Sequence, residues 1–128
     1  MGLEEQTLSE CELLVMKVIW NSDEELSIQE ITERVNREYG REWKQQTVSV
    51  FLGRIVKKQL LVSKRQGRVF FYRPTISEEE YGKREILKCM DSWGDGRADL
   101  FFAALSRAHE LTEEEKSRIR RMLSDLDQ

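Results

Sequence analysis

Hydrophobic residues in the first half of the chain recur every three to four positions, a spacing that predicts three helices. The first two predicted helices each begin with a capping box, in which a serine is followed three residues later by a glutamate: Ser9 with Glu12 and Ser27 with Glu30. The first helix should end near Asn21, and the second should cover about residues 28–38 with Gly40 as its stop. Both helices therefore have start and stop signals of their own.

The third predicted helix, about residues 44–59, differs on its two faces. One face is apolar and should enter the core: Val48, Phe51, Leu52, Ile55 and Val56. The opposite face contains Val50 and Gly53, which do not suit a surface that meets only water, since a glycine inside a helix costs about 1 kcal/mol relative to alanine. Both suit a surface that contacts DNA, because a methyl-bearing side chain can touch a thymine methyl and a missing side chain permits close approach.

After the third helix the pattern changes from helical to β. Two β-prone runs, residues 60–65 and 68–73, are separated by Gln66-Gly67, which predicts a hairpin with a two-residue loop, and Pro74 should end its second strand. Three short helices followed by a hairpin is the order of the winged helix-turn-helix. The third helix would then be the recognition helix and the hairpin the wing.

The remainder of the chain predicts three more amphipathic helices, at about residues 78–92, at about residues 98–108 and from residue 113 onward. The first and third of these helices start at further capping boxes, and a glycine-rich break precedes the second: Ser77 with Glu80, Thr112 with Glu115, and Gly94-Asp95-Gly96. The expected fold is mainly α with a small β-hairpin wing. It comprises a winged helix-turn-helix domain of residues 1–75 and a three-helix dimerisation domain of residues 76–128.

The apolar stripes of the last three helices need a partner, because short helices cannot build a sizeable core alone. That partner is either the N-terminal domain or a second copy of the chain. A palindromic DNA site demands two-fold symmetry in the protein, which favours a homodimer. The side chains predicted to form the dimer interface are Tyr81, Leu87, Met90, Phe101, Leu105, Ile119, Met122 and Leu123.

Positive charge is concentrated in one segment of an otherwise acidic chain with a net charge of −3. Residues 41–73 hold nine of the 21 lysine and arginine residues and one of the 24 acidic residues, Glu42. A local field of this kind attracts a polyanion whatever the net charge. The predicted DNA phosphate contacts are Lys44, Lys57, Lys58, Lys64, Arg65, Arg68 and Arg73.

Other classes of protein find little support in the sequence. There is no apolar run of membrane-spanning length and no basic signal peptide, which predicts a cytoplasmic protein. No catalytic constellation, metal-ligand cluster or cofactor-binding loop is present, so we expect no enzyme activity, metal or cofactor. The single histidine, His109, is expected to cap a helix C-terminus, and Cys11 and Cys89 to be buried, reduced thiols, with a disulfide or a redox sensor as the alternatives.

Four segments together resemble the penicillinase repressors and methicillin-resistance regulators of bacteria, the BlaI/MecI type: LSECELLVMKVIW, TVSVFLGRIVKKQLL, KRQGRVFFYRPTISEEEY and LTEEE. The resemblance implies a homodimeric repressor whose winged helix binds a palindromic operator, in a β-lactam-response or related stress operon. Carried over by position, the family's base contacts fall on Gln46, Thr47, Val50 and Arg54. Gln46 stands where lysine is common and Val50 where threonine is common, so the operator sequence should differ from that of the resistance members.

Two departures from this family concern regulation. The copper-responsive branch has a C-terminal cysteine cluster, which this chain lacks. In the resistance branch a membrane metalloprotease sensor triggers cleavage at an Asn-Phe bond, and the corresponding position here, near Ala104-Leu105, has no such bond. A competing interpretation of the whole chain is a winged-helix protein-interaction module that belongs to a larger complex and does not bind DNA.

Overall fold

The computed structural model describes residues 7–93, 95 and 97–127, and over these residues the chain forms six α-helices and three short strands. In chain order they are α1 (Glu10–Trp20), β1 (Leu26–Ser27), α2 (Ile28–Tyr39), α3 (Gln45–Lys57), β2 (Leu61–Gln66), β3 (Val69–Pro74), α4 (Glu78–Ser92), α5 (Ala98–Ala108) and α6 (Glu113–Leu126). The chain divides into two compact units, Met1–Glu85 and Ile86–Gln128, here called the winged-helix unit and the C-terminal unit. The division lies inside α4, later than the predicted boundary after residue 75.

Local capping determines where the helices of the winged-helix unit begin and end. Both predicted capping boxes are complete. The Ser9 and Ser27 hydroxyls accept hydrogen bonds from the backbone N–H groups of Glu12 and Glu30, and the carboxylates of these glutamates accept hydrogen bonds from the backbone N–H groups of the two serines. α2 ends at Gly40, whose φ of +63° is a left-handed conformation that glycine adopts without steric cost. These boundaries agree with those predicted from the sequence.

The wing, defined as strands β2 and β3, forms an antiparallel sheet with β1 in the order β1-β3-β2. Gln66 pairs with Val69, so the two loop residues are Gly67 and Arg68. The predicted loop, Gln66-Gly67, is therefore wrong by one residue. Gly67 has a φ of +66°, and a glycine at the first position of a two-residue loop supplies this conformation. The two-residue strand β1 is too short to leave a pattern in the sequence.

The core of the winged-helix unit is built from the three helices, the start of the sheet and the first turns of α4. The predicted apolar face of α3 is confirmed, with Val48, Leu52 and Ile55 buried. Trp43 packs beside this core. The Asn36 side-chain amide holds the Trp43 backbone in place, because it accepts the Trp43 N–H at 3.0 Å and donates to the Trp43 C=O at 2.9 Å. The other buried apolar side chains are Leu8, Val15, Met16, Val18, Ile19, Leu26, Ile31, Val35, Leu60, Leu61 and Tyr81.

The C-terminal unit contains the end of α4 together with α5 and α6. The predicted capping box of Thr112 and Glu115 is complete at the start of α6. None of the described residues of α5 or α6 is buried. Gly94 and Gly96, part of the predicted break after α4, lie outside the described residues. Across the part of the chain that the structure describes, no helix has the length and apolar character needed to cross a membrane.

Candidate nucleic-acid interface

The solvent-facing side of α3 is the centre of the candidate site. The four predicted base-contact residues all lie exposed on this helix: Gln46, Thr47, Val50 and Arg54. Val50 is 52% exposed although it lies in the middle of a helix whose other side is the core. The structure thus leaves a continuous row of side chains on α3 free of internal packing.

Gly53 lies on the same exposed side of α3, near its middle. A Cβ atom added to it would meet no atom of the surrounding protein within 4 Å. Its φ is not in the positive range that would favour glycine. Neither the backbone conformation nor the packing inside the protein therefore requires a glycine at this position.

The positive charges of the wing point in two directions. Neighbouring residues of a strand face opposite sides of a sheet, and Arg65 pairs with Phe70 whereas Lys64 pairs with Phe71. Arg65 thus shares a face with the buried Leu61, which we call the core-side face. Lys64 lies with Arg73 on the other, outer face, and Arg68 is in the loop. The predicted phosphate contacts of the wing do not form one surface.

Arg65 and Phe70 form a small cluster at the wing tip. The guanidinium carbon of Arg65 lies 5.9 Å from the centre of the Phe70 ring, a cation–π distance. The Arg65 Nε donates to the Gly67 carbonyl oxygen at 2.8 Å. These two interactions hold the guanidinium in place, although Phe70 itself is 45% exposed.

A cleft of about 320 Å³ separates the wing tip from α3. Its polar lining comes from α2, α3 and the wing loop and includes Gln29, Gln45, Ser49 and Arg68, and its apolar wall includes Phe70 and Tyr72. Burial raises the pKa of the Tyr72 phenol above its usual value of 10.0, so this hydroxyl remains protonated at neutral pH. Sequence reasoning missed Gln45, Ser49 and Phe70 as site residues, because each one satisfies an ordinary helix or strand pattern.

Lys58 is placed differently from the other predicted phosphate contacts. Its ammonium forms an ion pair with Glu12, whose side chain is almost fully buried, and donates to the Thr7 carbonyl oxygen at 2.8 Å. Glu12 is only 2% exposed, so this cation compensates a charge that water does not reach. The geometry argues against the predicted phosphate contact and gives Lys58 a role inside the winged-helix unit. Lys44, Lys57 and Arg73 are exposed.

Tyr81 also departs from its predicted place, the dimer interface. It is 6% exposed, its ring lies 5.7 Å from that of Trp20, and its hydroxyl accepts the Leu8 N–H at 2.7 Å. Burial raises the pKa of the Tyr81 phenol above its usual value of 10.0, so the hydroxyl stays protonated. Tyr81 belongs to the core of the winged-helix unit, because the first turns of α4 pack on that unit. Lys17 reinforces this packing through a 2.6 Å ion pair with Glu78.

The other predicted dimer residues are half-buried or exposed: Leu87, Met90, Phe101, Leu105, Ile119, Met122 and Leu123. His109 is the C-cap of α5, as predicted, with its ring 3.3 Å from the Glu115 carboxylate. Both cysteines are free. Cys11 is half-buried and Cys89 is exposed, so the prediction of a buried thiol is wrong for Cys89. No group of three potential metal ligands occurs among residues 7–93, 95 and 97–127.

Three packed helices followed by an antiparallel hairpin form the winged helix-turn-helix architecture. Within this class, a family model described as "Penicillinase repressor" matches residues 8–125. The chain belongs to the penicillinase repressor family. The predicted family and fold class are thereby confirmed, and membership of a repressor family agrees with the prediction that the chain is not an enzyme.

Two curated proteins are similar to somewhat more than half of the chain. The penicillinase repressor of Bacillus licheniformis is 35% identical over 74 residues, which are 58% of this chain and 56% of that protein. An uncharacterized 16.5 kDa protein in the ptsI 3′ region of Latilactobacillus sakei is 32% identical over 76 residues, 59% of this chain and 49% of that protein. The chain spans about half the length of the curated relatives it matches.

Two solved structures are also similar to part of the chain. The solution structure of the DNA binding domain of the repressor BlaI is similar with a TM-score of 0.51 and 34% identity, over 59% of this chain and 89% of that one. The monomeric form of Bacillus licheniformis BlaI in complex with the blaP half-operator has 35% identity over 59% of this chain and 88% of that one, with a TM-score of 0.48.

Proposed function

We propose that the chain is a homodimeric bacterial transcriptional repressor that binds a palindromic operator through its winged-helix unit and blocks transcription by occupying that site. The observation that carries the proposal is the outward face of α3. It exposes an apolar residue, Val50, and a helix-interior glycine, Gly53, inside a segment without acidic residues between positions 43 and 77. A face of this kind suits a major groove better than it suits water.

Within this proposal the DNA contacts divide into two sets. Gln46, Thr47, Val50 and Arg54 contact base edges, where Gln46 can pair bidentately with adenine and Arg54 can reach guanine. The exposed cations contact phosphates and supply sequence-independent affinity: Lys44, Lys57, Lys64, Arg65, Arg68 and Arg73. The base contacts therefore determine which sequence is bound, and the phosphate contacts determine how strongly any sequence is bound.

The C-terminal unit supports the homodimer. Its helices expose apolar side chains, of which Leu126 at 80% is the most exposed among the described residues. A monomeric protein rarely leaves a large apolar surface in contact with water. Pairing of two such units would bury them and would give the two-fold symmetry that a palindromic operator requires.

Regulation follows from the same proposal. We place the protein in the bacterial cytoplasm and assign it to a β-lactam-response or related stress operon. A membrane metalloprotease sensor is the proposed partner for derepression, but the bond near Ala104-Leu105 is not Asn-Phe. Incubating cells with a β-lactam and following the size of the chain by immunoblot tests this partner, and an intact chain with restored transcription would exclude cleavage.

The central test is selection of DNA by the full chain from a random duplex pool, followed by binding titrations on the enriched sequence. We expect a palindrome to be enriched. Replacing Arg54 by alanine should weaken binding to it about tenfold, the typical cost of one lost base contact, and relax the sequence preference. The control is Arg118→Ala, which removes an exposed arginine from α6.

Two results would contradict this assignment. Equal affinities of the Arg54→Ala variant and the wild type for both the palindrome and random DNA would show that α3 does not read bases. A wild type that enriches no sequence and shows no salt-dependent gel shift would instead favour the protein-interaction module, with the basic face meeting an acidic protein.

A further inference from the structure

The chain passes from the wing into α4 without a flexible linker. Only residues 75–77 separate the end of β3 from the start of α4. Thr75 donates its N–H to the Leu60 carbonyl oxygen at 3.1 Å, and the Ile76 carbonyl oxygen accepts the Trp20 Nε1–H at 2.9 Å. Segments that only join two compact units are usually exposed and make few contacts. These residues are therefore part of the winged-helix unit and not a linker that follows it.

The second turn of α4 is also built into the winged-helix unit. Among the described residues of this helix, Tyr81 alone is buried. Its ring lies 5.7 Å from the Trp20 ring, and its hydroxyl accepts the Leu8 N–H at 2.7 Å. The guanidinium carbon of Arg84 lies 5.9 Å from the centre of the Tyr81 ring, a cation–π distance. Tyr81 is thus enclosed by α1, by the residues before α1 and by α4 itself.

Polar contacts extend this attachment to both ends of the segment of α4 that belongs to the winged-helix unit. Lys17 of α1 pairs with Glu78, the first residue of α4, at 2.6 Å. The Thr7 hydroxyl donates to the carboxylate of Glu85, the last residue of the winged-helix unit, at 3.4 Å. We call residues 78–85, with their contacts to Tyr81 and to these two pairs, the anchored start of α4.

We infer that the anchored start of α4, with Tyr81 at its centre, determines which spacing between two half-sites the homodimer accepts. The inference rests on the proposed function and adds to it a specificity determinant that touches no base. α4 is one helix from Glu78 to Ser92. Because its first turns are packed and hydrogen-bonded to the unit that carries α3, each α3 has little freedom to follow a half-site that is displaced along the DNA.

The geometry of B-DNA makes the spacing a sensitive measure of this freedom. Each base pair added between two half-sites moves them apart by about 3.4 Å and rotates one against the other by about 35°. A flexible connection absorbs a displacement of this size, and an anchored helix does not. A dimer that reaches only one half-site loses the gain from linked binding, which is about 10²–10⁴-fold.

The experiment uses the full chain and the palindrome enriched from the random pool. Fluorescence anisotropy compares that duplex with versions that have one or two base pairs inserted at the centre, and with a duplex that holds a single half-site. We expect the wild type to bind the duplex with two inserted base pairs about a hundredfold more weakly than the original, the lower end of the gain from linked binding.

Tyr81→Ala should reduce this difference to less than about tenfold, because the freed helix lets the second winged-helix unit reach its half-site. Its affinity for the single half-site should stay at the wild-type value, since Tyr81 does not lie on α3; a role in folding alone would lower that affinity. Lys83→Ala is the matched control, because Lys83 lies in the same turns of α4 but pairs only with the exposed Glu79, at 3.2 Å. That variant should keep the hundredfold difference.

A second variant leaves the contacts of Tyr81 in place. Insertion of Gly-Gly-Ser-Gly between Glu85 and Ile86 interrupts α4 directly after its anchored start. This variant should bind the single half-site as the wild type does and should also accept the longer spacings. If Tyr81→Ala loses binding to the single half-site, the insertion variant decides alone, and sedimentation of both variants establishes that they are dimers.

The outcomes separate this inference from the function on which it rests. If the wild type binds all spacings equally, or if the dimeric Tyr81→Ala and insertion variants keep the wild-type ratio, the spacing determinant is refuted while the repressor remains supported. Equal loss of discrimination in Lys83→Ala would also refute it. A wild type that enriches no palindrome overturns the proposed homodimeric repressor and this inference together.

Discussion

Replacing Gly53 by alanine should stabilise the protein and weaken its DNA binding at the same time. A helix-interior alanine is about 1 kcal/mol more favourable than glycine, because glycine loses more conformational freedom on folding. The full gain should be realised here, since the new Cβ would meet no protein atom within 4 Å. For a unit of 85 residues, about 1 kcal/mol corresponds to a rise of about 5 °C in Tm.

The loss of DNA affinity follows from the direction of the new methyl group. It would project from the same exposed side of α3 as Val50, between the predicted base contacts. An extra methyl in a close-packed contact typically costs about 1–3 kcal/mol, so we expect the affinity for the enriched duplex to fall about tenfold or more. Fluorescence anisotropy on labelled duplex measures the affinity, and differential scanning calorimetry measures Tm.

Gly82→Ala in α4 is the matched control for this prediction. Gly82 is also inside a helix and its added Cβ would also meet no atom within 4 Å, but it does not lie on α3. This variant should gain a similar amount of stability and bind DNA as the wild type does. If Gly53→Ala gains stability and keeps full affinity, the close approach of DNA to α3 at this position is refuted.

Three further predictions concern other parts of the winged-helix unit. Lys58→Met leaves the buried Glu12 carboxylate without its cation and should lower the free energy of unfolding in urea by about 3 kcal/mol. The double variant that also carries Glu12→Gln should recover most of this loss. If the single and the double variant lose the same stability, Lys58 and Glu12 are not coupled. The hydrogen bond from the Ser27 N–H lowers the pKa of Glu30 below its ordinary value of 4.5. The stability that the Glu30 carboxylate contributes is therefore complete above pH 4.5, and it is lost as the pH falls through the pKa of Glu30 in the folded protein. The Tm difference between wild type and Glu30→Gln should shrink over that range, and a constant difference would contradict the linkage. Lys64→Ala should lower the affinity for every DNA sequence and reduce the slope of log affinity against log salt concentration by about one unit. An unchanged slope would show that Lys64 does not contact DNA phosphate.

The helices could be predicted closely because their ends are encoded locally. Ser9, Ser27 and Thr112 each satisfy N–H groups within three residues of themselves, and Gly40 supplies a left-handed conformation at the end of α2. The two faces of α3 follow from a period of 3.6 residues, which is likewise local. For the same reason, the row of candidate base contacts on α3 could be placed on one exposed helix from the sequence.

The sequence could not place a residue whose contacts depend on a distant partner. Tyr81 and Leu87 both fit the apolar pattern of α4, but the first is buried against Trp20 and Leu8 and the second is exposed. Lys58 was indistinguishable from Lys57 in sequence, although only Lys58 reaches Glu12. A count of cations therefore could not distinguish Lys58 from the exposed cations, and the two faces of the wing could be separated only once the strand register was known.

The sequence by itself determined the order of the six helices and the wing, the ends of most helices, the outward face of α3 and the basic character of the wing. Each of these depends on interactions within about four residues or on the periodicity of one element. Only the tertiary structure decided the pairing of β1 with β3, the loop at Gly67-Arg68, the ion pair between Lys58 and Glu12, and the cleft beside Phe70. These depend on which surfaces meet when the helices and strands pack, and that choice is made by the burial of the whole core and not by any single segment.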